Sequence, residues 1–173
     1  MKHNLLFVSL LACTMGFAQI PDQAVQKETI AFLGFNEQAI TSLAKAIPED
    51  KYGWKPADGV RSVREVLLHV AGGNYFLLMN MGIAPPPTID LMGMEKMEAD
   101  KDKILEILQA SFKHVSDNLL SFKDSQLSEK VKFPWAEMTR HAACFLLIDH
   151  TGEHKGQLIA YARSNGIVPP WSN

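Results

Sequence analysis

The chain is poor in cysteine and lacks a basic run, and both absences exclude classes of function. Two of its 173 residues are cysteines, Cys13 and Cys144. If the N-terminal segment that carries Cys13 is removed, Cys144 has no partner for an internal disulfide. We expect Cys144, which lies in an apolar stretch, to be a buried and inert thiol. The 17 basic and 19 acidic residues give a formal net charge of −2 at pH 7, which disfavours nucleic acid as a partner.

Long apolar runs and strand-like segments are also scarce. After the first residues, no segment approaches the roughly 20 apolar residues that cross a bilayer. We therefore expect no membrane span once the N-terminal segment is removed. The alternation of polar and apolar residues that marks a half-buried strand is nearly absent, and we find no internal repeat. A chain of 173 residues with these properties is typical of one helical domain.

The N-terminus has the organisation of an export signal. Lys2 and His3 form a short polar start, and residues 5–12 form a brief apolar run. Gly16-Phe17-Ala18 then supplies small residues at the positions that a signal peptidase recognises. We therefore predict cleavage before Gln19.

Cleavage there divides the chain into a signal peptide over residues 1–18 and a single domain over residues 19–173. We expect the domain to be exported, and therefore periplasmic or secreted. One alternative is a retained membrane anchor, although the apolar run is short for a span. Another is lipidation at Cys13, because Leu10-Leu11-Ala12-Cys13 loosely resembles a lipobox.

Periodic apolar residues and helix-terminating residues predict four helices in the exported domain. Their approximate ranges are residues 23–46, 63–79, 96–122 and 137–165. Ser62 and Glu65 form the pattern of a capping box before the second helix, and Gly166 ends the fourth helix. Four amphipathic helices in a chain of this length predict an all-α fold, an antiparallel four-helix bundle.

Three features of the connecting segments bear on a site. The prolines at 85–87 favour a loop over residues 83–92, and this loop is a candidate wall for a substrate pocket. Trp54 in the first connection has two interpretations, since it either lines the mouth of a cavity or covers the end of the bundle. Residues 131–133, before the last helix, are expected to be briefly extended.

His150 and His154 are the most informative residues of the chain. They lie four residues apart on one face of the fourth helix, so their imidazoles can hold a single metal ion. That face is otherwise apolar, and an unpaired imidazole buried there is costly. No glutamate directly follows His150, so the pair does not form the zincin motif of metalloproteases. The alternative is that both histidines are core residues satisfied by hydrogen bonds.

His69 is the strongest candidate for a third ligand. It lies in an apolar stretch of the second helix, and histidines on facing helices of a bundle can converge on one point. Three imidazoles leave an open position, as catalytic metal sites require. Nitrogen ligands suit Zn²⁺, Ni²⁺, Fe²⁺ or Co²⁺, whereas Ca²⁺ and Mg²⁺ prefer oxygen.

Other polar residues have simpler interpretations. His114 on the third helix is a candidate fourth ligand or proton shuttle, but we favour the simpler interpretation of a partly exposed histidine on a helix. His141 precedes His150 by nine residues, which places it on the opposite side of the helix. Glu65 lies one turn before His69, so it either orients that imidazole or serves only in the capping box.

Short motifs around these residues form a recognisable series. They are Trp54-Lys55-Pro56, Gly59, Ser62-Val63-Arg64-Glu65, His69, His150, His154-Lys155-Gly156-Gln157-Leu158, Asn165-Gly166-Ile167 and Pro169-Pro170. In order and placement, over about residues 23–170, they resemble the DinB-like family of four-helix-bundle metalloproteins. The resemblance implies a bundle with a divalent-metal site made by three histidines. Some members of that family are thiol-dependent transferases or isomerases.

We therefore expect an exported protein that binds one divalent transition metal ion, Zn²⁺, Ni²⁺ or Fe²⁺, through His69, His150 and His154. Its expected activity is metal-dependent transfer, for example to a thiol, or hydrolysis of a small-molecule substrate. The sequence identifies no catalytic base and leaves homodimer formation open. A non-catalytic bundle that binds a metal or a partner is the alternative, and a purely structural domain is a third hypothesis.

Overall fold

Four helices make up most of residues 22–172, the part of the chain that the computed structural model describes. The predicted signal peptide, its cleavage point and Cys13 lie outside these residues. The helices are α1 (Ala24–Ala46), α2 (Val63–Asn80), α3 (Lys101–Leu119) and α4 (Arg140–Ser164), and an antiparallel hairpin of β1 (Lys130–Lys132) and β2 (Glu137–Thr139) precedes α4. The predicted all-α four-helix bundle is confirmed. No helix within the described range is long and apolar enough to cross a membrane.

Side-chain caps fix where α2, α3 and α4 begin. The Ser62 hydroxyl accepts a hydrogen bond from the backbone N–H of Glu65, and the Glu65 carboxylate accepts one from the N–H of Ser62. This reciprocal pair confirms the predicted capping box. Asp100 and Thr139 cap α3 and α4 in the same way, each with one side-chain oxygen.

Two helices begin later than the sequence predicts. Lys96, predicted to open the third helix, is instead the last residue of a separate 3₁₀ turn (Met94–Lys96), and α3 starts only after the Asp100 cap. The stretch Glu137–Thr139, predicted to open the fourth helix, pairs with Lys130–Lys132 instead. The expected extension of residues 131–133 overlaps β1, so this prediction is confirmed except at its last residue.

Contacts at the ends of the bundle give the direction of each helix. The side chain of Gln23, just before α1, donates a hydrogen bond to the carbonyl of Leu120, just after α3. These two packed helices are therefore antiparallel. Arg140, the first residue of α4, donates to the carbonyl of Met81 at the end of α2, so α2 and α4 are antiparallel as well.

By contrast, α2 and α3 run in the same direction. Arg64 at the start of α2 forms an ion pair with Glu98, which lies just before α3. Midway along both helices, the amide of Asn74 donates to the hydroxyl of Ser111 over 3.1 Å. The four directions are thus up, down, down, up, and α1 and α4 are also parallel. The sequence predicts a fully antiparallel bundle. Among the packed pairs described above, α1 with α3 and α2 with α4 are antiparallel, whereas α2 with α3 is parallel because the chain returns along the bundle between these two helices.

The returning segment, residues 81–100, is referred to below as the crossover. The 18 residues of α2 have a length of about 27 Å at 1.5 Å per residue, and the crossover must cover this distance before α3 can start. It packs against α2, where the side chain of Met94 is buried. The crossover therefore brings side chains from outside the four helices onto the middle of α2.

Apolar side chains from all four helices fill the interior of the bundle. Those with no exposed area include Ile40, Leu43, Leu67, Val70, Ile104, Leu108, Leu147 and Leu158. Cys144 is equally buried, and burial raises the pKa of its thiol. The predicted burial of Cys144 is confirmed, and a thiol with a raised pKa is a weaker nucleophile at neutral pH, as an inert cysteine requires.

Candidate metal centre

Three histidines from α2 and α4 converge inside the bundle. His69 projects from α2, and His150 and His154 project from successive turns of α4. One ring nitrogen of each lies within 4.8 Å of the corresponding nitrogens of the other two. One of these contacts joins Nε2 of His150 to Nε2 of His69 over 3.2 Å. The structure thus brings together all three histidines that the sequence singles out, and their ligation of a metal stays a prediction.

A glycine on α2 makes room for this convergence. A Cβ atom built on Gly73 would lie 2.2 Å from Cε1 of His150, a distance that real structures do not show. Gly73 is one turn along α2 from His69, so its bare backbone faces the incoming ring from α4. Any larger residue would push the His150 ring out of its present position.

The crossover supplies a carboxylate to His69. Oε1 of Glu95 lies 2.5 Å from Nδ1 of His69, and Oε2 accepts a hydrogen bond of 2.8 Å from Nε of Arg61. Burial raises the pKa of Glu95, but the hydrogen bonds from Arg61 and His69 outweigh it and lower the pKa overall. An ionised carboxylate can only accept. The Nδ1 of His69 therefore carries a proton, and in the neutral ring Nε2 keeps its lone pair.

His154 is held in the same tautomer by a second set of contacts. Its Nδ1 lies 2.8 Å from the amide oxygen of Gln157, which fixes Nδ1 as the donor and leaves a lone pair on Nε2. The amide nitrogen of Gln157 donates to the hydroxyl of Tyr161, which in turn donates to the backbone carbonyl of Arg61. Arg61 thus supports both histidines, His69 through its side chain and His154 through its main chain.

His150 is the most constrained of the three rings. Burial, followed by the proximity of His154 and His69, lowers its pKa to about 3. Burial is also the main cause of the lowered pKa of His69. These two imidazoles are neutral at pH 7, which is the form that binds a metal. The Nδ1 atom of His150 is buried and has no hydrogen-bond partner among residues 22–172.

These features fit a divalent transition metal. Two of the rings have Nδ1 engaged, and each therefore directs the lone pair of Nε2 towards the cluster, which is the common arrangement for a histidine ligand. Three imidazole nitrogen donors suit Zn²⁺, Ni²⁺ or Fe²⁺ better than a cation that prefers oxygen. Three protein ligands also leave at least one position for a substrate.

A cavity of about 390 Å³ opens onto His69 and His150. Its walls come from α2, α4 and the crossover, with Trp135 from the hairpin loop at one side. The prolines at 85–87 do not line this cavity; Leu91, Met92 and Met94, further along the crossover, do. The predicted loop over residues 83–92 therefore contributes its last two residues to the cavity wall, but not the prolines that suggested it.

The remaining sequence candidates lie elsewhere. His114 packs against the ring of Tyr75, and its Nδ1 contacts Asn118, so it is outside the cluster. His141 is exposed and packs on Phe145, also outside it, as its helix position predicts. The ring of Trp54 meets that of Tyr161 edge-on, with centroids 5.3 Å apart. Of its two interpretations, this contact supports a cover over the end of the bundle.

Three supporting residues were missed by the sequence interpretation. Glu65 serves the capping box, whereas the carboxylate that reaches His69 is that of Glu95, which lies between the predicted loop and the predicted third helix. Gly73 could not have been identified from the sequence, because no local pattern shows that a glycine in an apolar helix contacts a ring from another helix. Gln157 could have been found, because a residue three positions after His154 lies on the same helix face.

The role of Gly73 can be tested with a matched pair of substitutions. We expect Gly73→Ala to lower the free energy of unfolding by about 1–3 kcal/mol, since it overpacks the site against His150. Gly72→Ala places its Cβ 3.5 Å from the sulfur of Met94, an ordinary contact. It should therefore be neutral or stabilise by up to about 1 kcal/mol, as expected for alanine in a helix. Urea unfolding of both variants measures the difference, and equal effects would contradict the close approach of His150.

Solved structures with the same fold are known. A DinB-like protein from Bacillus cereus matches with a TM-score of 0.73 at 14% identity, and the match covers 88% of this chain and 98% of that protein. YfiT from Bacillus subtilis is described as a probable metal-dependent hydrolase with an unusual four-helix bundle topology. It matches with a TM-score of 0.66 at 17% identity, over 82% of this chain and 88% of YfiT. YjoA, a DinB-like protein from Bacillus subtilis, has a TM-score of 0.63 at 19% identity, over 80% of this chain and 92% of YjoA.

At these identities the structural matches establish the fold alone. No curated protein matches the chain. The family model of the DinB superfamily, however, matches residues 33–158. This range includes His69, His150, His154 and most of the four helices. The chain belongs to the DinB superfamily.

Proposed function

We propose that the protein binds one divalent transition metal ion through His69, His150 and His154 and uses it to hydrolyse a small-molecule substrate. The observation that carries the proposal is the convergence of three ring nitrogens within 4.8 Å of one another. Hydrogen bonds to Glu95 and Gln157 support it further, because they present the Nε2 lone pairs of two of these rings. Zn²⁺, Ni²⁺ and Fe²⁺ are the candidate ions.

When bound, such an ion supplies Lewis acidity that polarises the carbonyl group of a substrate. The chain's own residues provide the rest of the site. Glu95 and Gln157 orient two imidazoles, and Gly73 admits the third. The cavity beside His69 and His150 gives the substrate access to the site.

Hydrolysis is favoured over transfer to a charged thiol cofactor by the lining of the cavity. Lysine and arginine are absent from the described residues that line it, so it offers no partner to the carboxylates of such a cofactor. The similarity to YfiT, described as a probable metal-dependent hydrolase, points in the same direction. The export signal predicted from the sequence supports a location in the periplasm or outside the cell.

Metal content tests the proposal. Elemental analysis of the purified mature protein should find close to one Zn, Ni or Fe per chain. The double variant His150→Ala/His154→Ala should contain almost none, because a single imidazole is a weak site. His141→Ala removes an exposed histidine from the same helix and should retain the metal. A parent protein that stays metal-free after incubation with excess ion would overturn the proposal.

A matched pair of substitutions separates the effect of the Glu95 hydrogen bond on metal affinity from the effect of removing any nearby negative charge. Glu95→Gln weakens the acceptor for Nδ1 of His69, and we expect a 10- to 100-fold loss of metal affinity, the usual effect of removing such a partner. Glu98→Gln removes an equal charge three residues further on, from an exposed carboxylate paired with Arg64. Competition with a chelating dye measures both affinities. Equal affinities would show that Glu95 acts only through its charge or not at all.

A further inference from the structure

The cavity beside the three histidines is lined almost entirely by apolar side chains. Phe76 of α2 and Trp135 of the hairpin loop stack with ring centroids 6.0 Å apart and form one wall. Leu91 and Met94 of the crossover form another, and Leu146 of α4 lies one turn before His150. Gly72 adds no side chain to the cavity. The space of about 390 Å³ falls in the range of natural small-molecule sites.

Charge is nearly absent from this cavity. Glu95 is the one acidic or basic residue, other than histidine, among the described residues that line it. Its two carboxylate oxygens are engaged by His69 and Arg61. Away from the proposed metal, an anionic group would therefore find no cationic lysine or arginine among the described residues that line the cavity, and it would face the Glu95 carboxylate. A charged group placed against the apolar walls would also lose hydration there without a partner, which is costly.

Polar side chains collect on the opposite side of Glu95. A separate cleft of about 570 Å³ is lined by Lys55, Arg61, Glu65 and Gln157 among others. This cleft does not include His69 or His150. The cleft on one side of Glu95 is therefore polar, and the cavity on its other side is apolar. His69 and His150 are accessible from the apolar cavity.

Part of the apolar wall is open to solvent. The side chain of Trp135 is 60% exposed although it stacks on Phe76. Burying a large aromatic side chain of this kind is favourable by roughly 25 cal/mol per Å² of apolar area. A ligand with an apolar group would cover this surface, whereas a small polar ligand would leave it in water.

We propose that the substrate is a neutral ester of an apolar acid, with its acyl chain in this cavity and its carbonyl group facing His69 and His150. This inference rests on the proposed function. In the reaction, the oxygen of water forms a bond to the acyl carbon and the acyl C–O bond breaks. One proton of the water passes to the departing alcohol, and the other is released as the carboxylic acid ionises.

Binding to the metal-free protein tests the cavity without reference to the metal. The probe is N-phenyl-1-naphthylamine, a neutral apolar dye whose fluorescence rises on burial. We expect Trp135→Ala and, as a second variant, Leu91→Gln to weaken dye binding at least tenfold. Trp171→Ala removes a tryptophan of similar exposure, 48%, which lines a groove away from the histidines. It should leave dye binding unchanged.

The metal-loaded protein tests the orientation of the ligand. Acetohydroxamic acid and hexanohydroxamic acid share a metal-binding head group and differ by four methylene groups. At about 0.8 kcal/mol per buried methylene, the longer compound should bind at least tenfold more tightly. This preference should fall in Trp135→Ala and persist in Trp171→Ala.

The two binding experiments distinguish a failure of the proposed substrate class from a failure of the proposed metal-dependent hydrolase. Equal affinity for the two hydroxamates in a metal-loaded protein would overturn the apolar substrate class and leave the metal site intact. Dye binding that is lost in Trp171→Ala and retained in Trp135→Ala would also overturn it. A protein that takes up no metal but binds the dye in a Trp135-dependent manner would instead overturn the proposed hydrolase.

Discussion

The parallel arrangement of α2 and α3 is the constraint on which the candidate site depends. Because both helices start at the same end of the bundle, the chain must return along α2 before α3 can begin. The returning crossover places Glu95 against Nδ1 of His69, and its apolar residues Leu91 and Met94 cover the neighbouring cavity. A bundle with alternating directions would connect α2 and α3 by a short turn, and His69 would lack both its carboxylate partner and its covered cavity.

Arg61 links the two halves of the site. Its guanidinium group holds Glu95, which orients His69, and its backbone carbonyl accepts from Tyr161, which holds Gln157 against His154. The buried imidazoles therefore have partners on the sides that face away from the cluster, with the exception of Nδ1 of His150. Such a network organises the ring nitrogens before any ligand arrives, which reduces the conformational entropy lost on binding.

The sequence was sufficient for the features that depend on local spacing. The capping box at Ser62, the four helices and the shared face of His150 and His154 follow from residues a few positions apart. The parallel pair of helices and the contact of Glu95 with His69 depend on the path of a loop, which no periodic pattern encodes. Gly73 was equally hidden, because its importance comes from a ring on another helix.

We conclude that this fold holds the imidazoles of His69 and His154 with a proton on Nδ1 and with Nε2 directed towards the proposed metal. Long-range ¹H–¹⁵N NMR of the metal-free protein, labelled at histidine, reads the tautomer of each ring directly. We expect Nδ1–H for both residues and, on addition of Zn²⁺, a shift of their Nε2 resonances with Nδ1 still protonated. Rings that carry the proton on Nε2, or Nε2 signals that do not respond to Zn²⁺, would contradict the account.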